Sequence, residues 1–169
     1  MIEYIQTLKK TLDKLDEQKI VEIAIKIKQA NHVYIFGNGG SSATSTHFVV
    51  DLVKACNIRA FCLNDNIPSI TAFANDVVYA SIFAEQVKRL VSKYDLVIGI
   101  SGSGNSENVI QGVLAAKELK AYTVGLTGYD GGELGTIVDF HLNVPVNDMQ
   151  IAEDIHLILT HIICKQIKT

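Results

Sequence analysis

The sequence predicts an α/β protein: a parallel sheet covered by helices on both faces. Three observations carry that prediction. Short apolar runs alternate with longer segments of helical periodicity. The runs are continuous rather than alternating, the pattern of strands buried on both sides. Two of the runs end in glycine–serine turns, "GNGGSS" at 37–42 and "SGSGNS" at 101–106, and each turn opens a helix.

Each element follows in order. Ile2, Ile5, Leu8, Leu12 and Leu15 recur at helical spacing, as do Ile20, Ile23, Ala24 and Ile27, so residues 2–30 form two helices. "HVYIF" (32–36) is a buried strand. Ser41 to about Lys54 is a helix, with the hydroxyls near its start as caps. "AFCL" (60–63) is a short strand, and 66–91 is mostly helical with a break near Asn75–Asp76. "DLVIGI" (95–100) is the next buried strand, and its glycine–serine turn opens a helix reaching 119. "AYTVGLT" (121–127) is a strand, "YDGGELG" a turn or single helical turn, and "DFHLNVPV" (139–146) the last strand. Residues 149–168 close the chain as a long helix. With no linker in view, 1–169 is expected to be one domain, residues 1–30 serving as a helical oligomerisation arm.

Composition narrows the function classes. At 169 residues and 48% apolar, the chain can bury a substantial core. Its net charge is −3, without a block of like charge, which argues against a nucleic-acid or membrane-surface partner. No apolar run is long enough to span a bilayer. The N-terminus is amphipathic and charged, not a secretory signal. Cys56, Cys62 and Cys164 are odd in number, far apart and without a CxxC pair. They read as free thiols in a reducing cytoplasm.

In a parallel sheet, ligands bind outside the carboxyl ends of the strands, where both glycine–serine turns lie. Glycine lets backbone N–H groups approach an anion, and a helix start adds free donors and a favourable dipole. Serine hydroxyls add uncharged donors. Two such turns on one crevice suit a phosphate group. "GNGGSS" fails G-x-G-x-x-G at Ser42, neither turn contains G-x-x-x-x-G-K-[ST], and neither carries a lysine or arginine. A lone phosphate on a neutral metabolite therefore fits better than a nucleotide, and no nucleotide cofactor is expected.

"GNGGSSATSTHF" together with "GISGSGNSENVI" resembles the sugar isomerase (SIS) domain family, and within it the phosphoheptose isomerase branch. The likeness runs over essentially the whole chain, including "ANDVVY" (74–79), "LTGYDGG" (126–132) and the C-terminal helix. It implies a three-layer flavodoxin-like fold with five parallel strands, and a homotetramer with active sites between subunits. It implies that Ser41, Ser101, Ser103 and Ser106, with the amides around Gly39 and Gly40, hold the phosphate. Asn38 and Asp76 match positions lining the sugar site. Gly102 stands where threonine is common in the family.

Aldose–ketose isomerisation moves a proton between adjacent carbons through an enediol and needs a base plus an acid–base partner. His47 and Asp51 are four apart on the helix leaving the first turn, so they share a face. On the closing helix Asp154 and His161 are seven apart and nearly aligned, whereas Glu153 and His161 lie about 80° apart around the axis. Periodicity alone pairs Asp154 with His161, and His156 reads as a packing or surface histidine. The resemblance instead places Glu153 at a site position, normally glutamine, and His161 at the catalytic histidine. It makes Asp51, where the family has glutamate, the proton-transfer base. It also implies that zinc can be held by His47, Asp51, Glu153 and His161, a donor set that suits zinc. With zinc bound, Asp51 and His161 become ligands and a bound water shares the proton transfer. Ala55 stands where the family has a basic residue, with Lys54 adjacent.

The expected function is thus isomerisation of a phosphorylated ketose in the cytoplasm, first of all sedoheptulose 7-phosphate. The alternatives are an isomerase of another sugar phosphate and a non-catalytic SIS regulator of the kind that associates with a replication initiator.

Overall fold

The computed structural model describes residues 2–169; Met1, counted in the expected arm, lies outside the described residues. Five strands, β1 (Val33–Gly37), β2 (Ala60–Cys62), β3 (Leu96–Ser101), β4 (Tyr122–Thr127) and β5 (Phe140–Asn143), form one parallel sheet in the order β2-β1-β3-β4-β5. Val33 stands opposite Ala60 on one side and Leu96 on the other; Leu96 faces Tyr122, and Val124 faces Phe140. This is the doubly wound, flavodoxin-like strand order.

Side chains alternate across each strand and build two cores. On one face, Val33, Ile35, Ile98 and Ile100 meet α2 (Glu17–Gln29), α3 (Gly40–Cys56) and α8 (Met149–Lys168) through Ile23, Ile27, Phe48, Leu52, Ile155 and Leu159. Tyr4, Leu8 and Leu12 of α1 (Ile2–Leu12) pack on the same core. Both N-terminal helices therefore lie on the protein's own sheet layer. On the other face, Tyr34, Phe36 and Val97 meet α5 (Ile82–Leu90), α6 (Glu107–Glu118) and α7 (Gly132–Ile137) through Phe83, Val109, Val113 and Leu134. Ile70 and Phe73 of α4 (Ile67–Asp76) pack beside them. Phe36 stacks on Phe83 with ring centroids 4.7 Å apart.

Two boundaries differ from the sequence reading. The last strand is four residues, not eight. Before it, the Asp139 carboxylate accepts from the Thr123 N–H and hydroxyl and from Lys117, pulling the chain into a side-chain clamp. After it, Pro145 has no N–H to offer a ladder. The segment after β4 is also more than a turn, since Gly132–Ile137 completes a short helix entered by Gly131 at φ +94°. The expected helix break falls at Val77–Val78, directly after Asp76, before a 3-10 turn at Tyr79–Ser81.

His156 is fully buried in α8. Its Nε2 donates to the Thr127 carbonyl at 3.0 Å, and its Nδ1 has no partner among the described residues. Burial pushes its pKa down to about 4, against the smaller upward pull of that hydrogen bond. The unfolded chain therefore takes the proton first. The stability of the neutral buried ring is fully present above pH ~6.5, declines as pH falls towards 4, and levels off below, a loss on the order of 3 kcal/mol. Urea unfolding from pH 7.5 to 4.5 is expected to show this decline, and His156→Gln is expected to flatten it. An unchanged slope in the variant would assign the decline to other groups.

Candidate active site

α3 leaves β1 onto one face of the sheet and α6 leaves β3 onto the other. β1 and β3 are neighbours, so their two turns border a crevice at the point where the winding reverses. The crevice is a cavity of about 240 Å³. Ser41, Ser101, Ser103, Ser106, Asn38 and Gly39 line it from the two turns, and Met149 and Glu153 from α8. Six of the expected substrate residues on the turns thus share one cavity. A larger hollow of about 590 Å³ lies between the α1–α2 turn and α8, but Leu12, Leu15, Ile20, Val21 and Ile162 make up much of its wall, and no such set of hydroxyls and amides converges there.

The turns leave donors facing the crevice. Gly39 enters α3 at φ +54°, a conformation suited to glycine, and supplies no side-chain cap. Ser106 precedes α6 but does not cap it, its Oγ instead accepting from the Ser101 hydroxyl at 3.0 Å. The starts of both helices, with their unpaired N–H groups and positive dipole ends, are therefore available to an anion. Asn105 ties the second turn to α7 by accepting from the Glu133 N–H at 3.0 Å.

Two α8 side chains explain local sequence choices. The Glu153 carboxylate packs directly against Gly40, where any Cβ would overlap it. Met149 Sδ likewise occupies the space a side chain at Gly102 would need.

Sequence reading missed the residues that support Asn38. Asn108, 3% exposed, exchanges hydrogen bonds with it in both directions, at 2.7 and 2.9 Å. Asn64 grips the end of β1, donating to the Gly37 carbonyl at 2.8 Å and accepting from its N–H at 3.2 Å. The partner amide of Asn108 is 70 residues away, so no local spacing signals it. Asn108→Leu leaves the Asn38 amide without its partner and is expected to cost about 1–2 kcal/mol of stability. Asn38→Leu with Asn108→Leu is expected to cost less than the sum of the single changes. Strict additivity in urea unfolding would deny the coupling.

A second cluster stands further along α3. His47 Nε2 lies 3.4 Å from Asp51 Oδ2 and 2.9 Å from His161 Nε2, which is itself 3.7 Å from Asp51 Oδ2. The rings meet edge to face, 5.1 Å apart. The i,i+4 spacing puts His47 and Asp51 on one helix face. Packing of α3 against α8 through their shared core brings His161 to them. The three ligand atoms lie within 4.8 Å of one another. Two imidazoles and one carboxylate this close fit zinc with an open fourth position, and equally suit sharing and moving a proton.

Glu153 stands apart from this trio, at Gly40. Asp154, which periodicity pairs with His161, is instead taken by the N-terminal helix, accepting from the Tyr4 hydroxyl at 2.5 Å. That bond is the main reason the Tyr4 phenol is pushed up to about 12. Asp76 is exposed at the end of α4, hydrogen-bonded to the Asn75 amide, and does not line the cavity within one chain. Its segment reaches the site through Tyr79, whose hydroxyl donates to Asn38 at 3.5 Å.

Comparison with known proteins agrees with this fold. The SIS domain family model matches residues 2–128. A Thermoplasma acidophilum protein named as a probable phosphoheptose isomerase is 41% identical over 162 residues, covering 90% of this chain and 89% of that protein. The phosphoheptose isomerase of Aliarcobacter butzleri is 37% identical, covering 95% of this chain and 89% of its own length. The structure of phosphoheptose isomerase from Neisseria gonorrhoeae superposes with a TM-score of 0.92 at 32% identity, covering 98% and 94% of the two chains. Fold, paired turns and whole-length similarity together make this chain a member of the SIS domain family, in its phosphoheptose isomerase branch.

Proposed function

We propose that the protein is an aldose–ketose isomerase converting sedoheptulose 7-phosphate to D-glycero-D-manno-heptose 7-phosphate. One observation carries the reading: a serine-lined cavity at the start of α3 and a His47–Asp51–His161 trio further along the same helix. The first suits a phosphate, the second proton transfer at the sugar's other end. The relatives named phosphoheptose isomerases support the same substrate class.

In this reading Ser41, Ser101, Ser103 and Ser106, with the amides near Gly39 and Gly40, hold the phosphate, and Asn38 orients the sugar. Asp51 takes the proton from one carbon and returns it to the next, while His161 moves the proton between the two oxygens. His47 and His161 flank the Asp51 carboxylate. A zinc ion held by His47, Asp51 and His161 would polarise the carbonyl and hydroxyl.

The working form is a cytoplasmic homotetramer of single SIS domains with sites between subunits. Exposed Val50 and Val53 on α3 and Ile67, Val77, Val78 and Tyr79 on and after α4 support an assembly that covers them. Asp76 would then complete the site of a neighbouring copy. The three cysteines, none in a disulfide, suit a reducing compartment.

The test is NMR of purified protein with sedoheptulose 7-phosphate, unphosphorylated sedoheptulose and fructose 6-phosphate. Aldoheptose 7-phosphate formed from the first alone is the expected result. Turnover of fructose 6-phosphate in preference would make this an isomerase of another sugar phosphate. Equal turnover of the unphosphorylated sugar would sink the phosphate-binding role of the turns.

A further inference from the structure

We propose that Cys56 and Cys164 form a redox-active dithiol that closes reversibly to an intramolecular disulfide and staples α3 to α8. Cys56 is the last residue of α3, and Cys164 lies on α8 one turn beyond His161. The Cys56 thiol donates to the Cys164 carbonyl oxygen at 3.5 Å, and Cys56 is near enough to be one of the causes that raise the Cys164 thiol. The Cys56 sulfur therefore lies against Cys164 in the folded chain. Cys62 has other partners, Thr46 and Asn64, on the edge strand β2.

The surroundings assign the two thiols different roles. Cys164 is 5% exposed, and burial together with the adjacent Cys56 pushes its pKa up to about 12. It is a poor first nucleophile. Cys56 is only partly buried, and α3 ends there in Asn57 at φ +56°, so a small-molecule disulfide reaches it first. The Cys56 thiolate attacks one sulfur of that disulfide and releases the other half as a thiol, leaving a mixed disulfide on Cys56. Cys164 Sγ attacks Cys56 Sγ, the bond from Cys56 to the second half breaks, and the leaving thiolate takes up the proton that Cys164 gives up. In sum, two protein thiols and one small disulfide become one protein disulfide and two small thiols.

The staple joins residues 108 positions apart, a long loop whose closure restricts the unfolded chain strongly. It also locks together the helix that carries His47 and Asp51 and the helix that carries His161.

Native protein treated with oxidised glutathione is expected to lose two hydrogens in mass. A tryptic map is expected to link Cys56 to Cys164, and the thermal midpoint to rise by roughly 10 °C. Cys62→Ser is expected to behave identically. Cys56→Ser, at a partly exposed helix end, is expected to stay folded and show neither staple nor rise. Three results would each overturn the proposal: free Cys56 and Cys164 after oxidation, a lasting glutathione adduct without closure, or closure only in urea.

Discussion

Asp51→Asn and His161→Ala are each expected to lower turnover of sedoheptulose 7-phosphate by about 10³-fold or more, with the fold intact. General acid–base catalysis is worth about 10²–10⁴-fold. Asp51 Oδ2 also lies 3.4 and 3.7 Å from the two imidazoles, so its charge acts on both. Asparagine keeps the shape but cannot accept the proton. Substrate binding is expected to change only a few-fold, because neither residue lines the serine cavity. The double variant is expected to lose little more than the worse single variant, as residues acting as one unit do. Steady-state kinetics beside direct binding separates these effects, and turnover within tenfold of the parent in either variant would remove the assigned role.

Gly104→Ala is expected to cost about 3–5 kcal/mol of stability and to weaken phosphate binding at the same time. Gly104 sits at φ +70°, where a side chain costs about 1–2 kcal/mol. A Cβ there would also overlap the Gly131 carbonyl and come within 2.9 Å of the Gly132 nitrogen, both backbone atoms. The turn at 101–106 is locked back to back with the turn at 128–132. Gly128 N–H donates to the Gly102 carbonyl and Leu134 N–H to the Gly104 carbonyl, each at 2.8 Å. Relieving the clash must shift the serines that line the cavity. Gly39→Ala is the comparison: among the described residues a Cβ there meets nothing within 4 Å, so only the backbone strain of its φ +54°, ψ −122° conformation remains, on the order of 1–3 kcal/mol. Equal losses in the two variants, measured by urea unfolding, would remove the steric explanation.

Much of this architecture was legible from periodicity. Continuous apolar strands and two glycine–serine crossovers define a doubly wound sheet, and the switch-point rule puts both turns on one crevice. The i,i+4 relation of His47 and Asp51 was also local, hence readable. Helix-to-helix packing was not. Angular alignment favoured Asp154 for His161, but the partner comes from α3, and Asp154 is taken by Tyr4, 150 residues away. Glu153 is adjacent in sequence to Asp154 yet points to Gly40, because side chains one residue apart leave a helix about 100° from each other. The buried Asn108 gave no signal, since its partner sits on another element, and His156, read as a packing or surface histidine, is the packing one. The last strand was overextended because a carboxylate clamp and Pro145 end the ladder where hydrophobicity alone continues.

The most direct test of the proposed chemistry is isomerisation of sedoheptulose 7-phosphate in ²H₂O, followed by ¹H and ¹³C NMR, for the parent and for Asp51→Asn. Proton transfer through an enediol at Asp51 predicts an aldoheptose 7-phosphate from the parent, with deuterium at C2 in proportion to how far Asp51 exchanges its proton with solvent before returning it, and turnover by the variant lower by about 10³-fold or more. No product from the parent, or product formed by Asp51→Asn at the parent's rate, would contradict it.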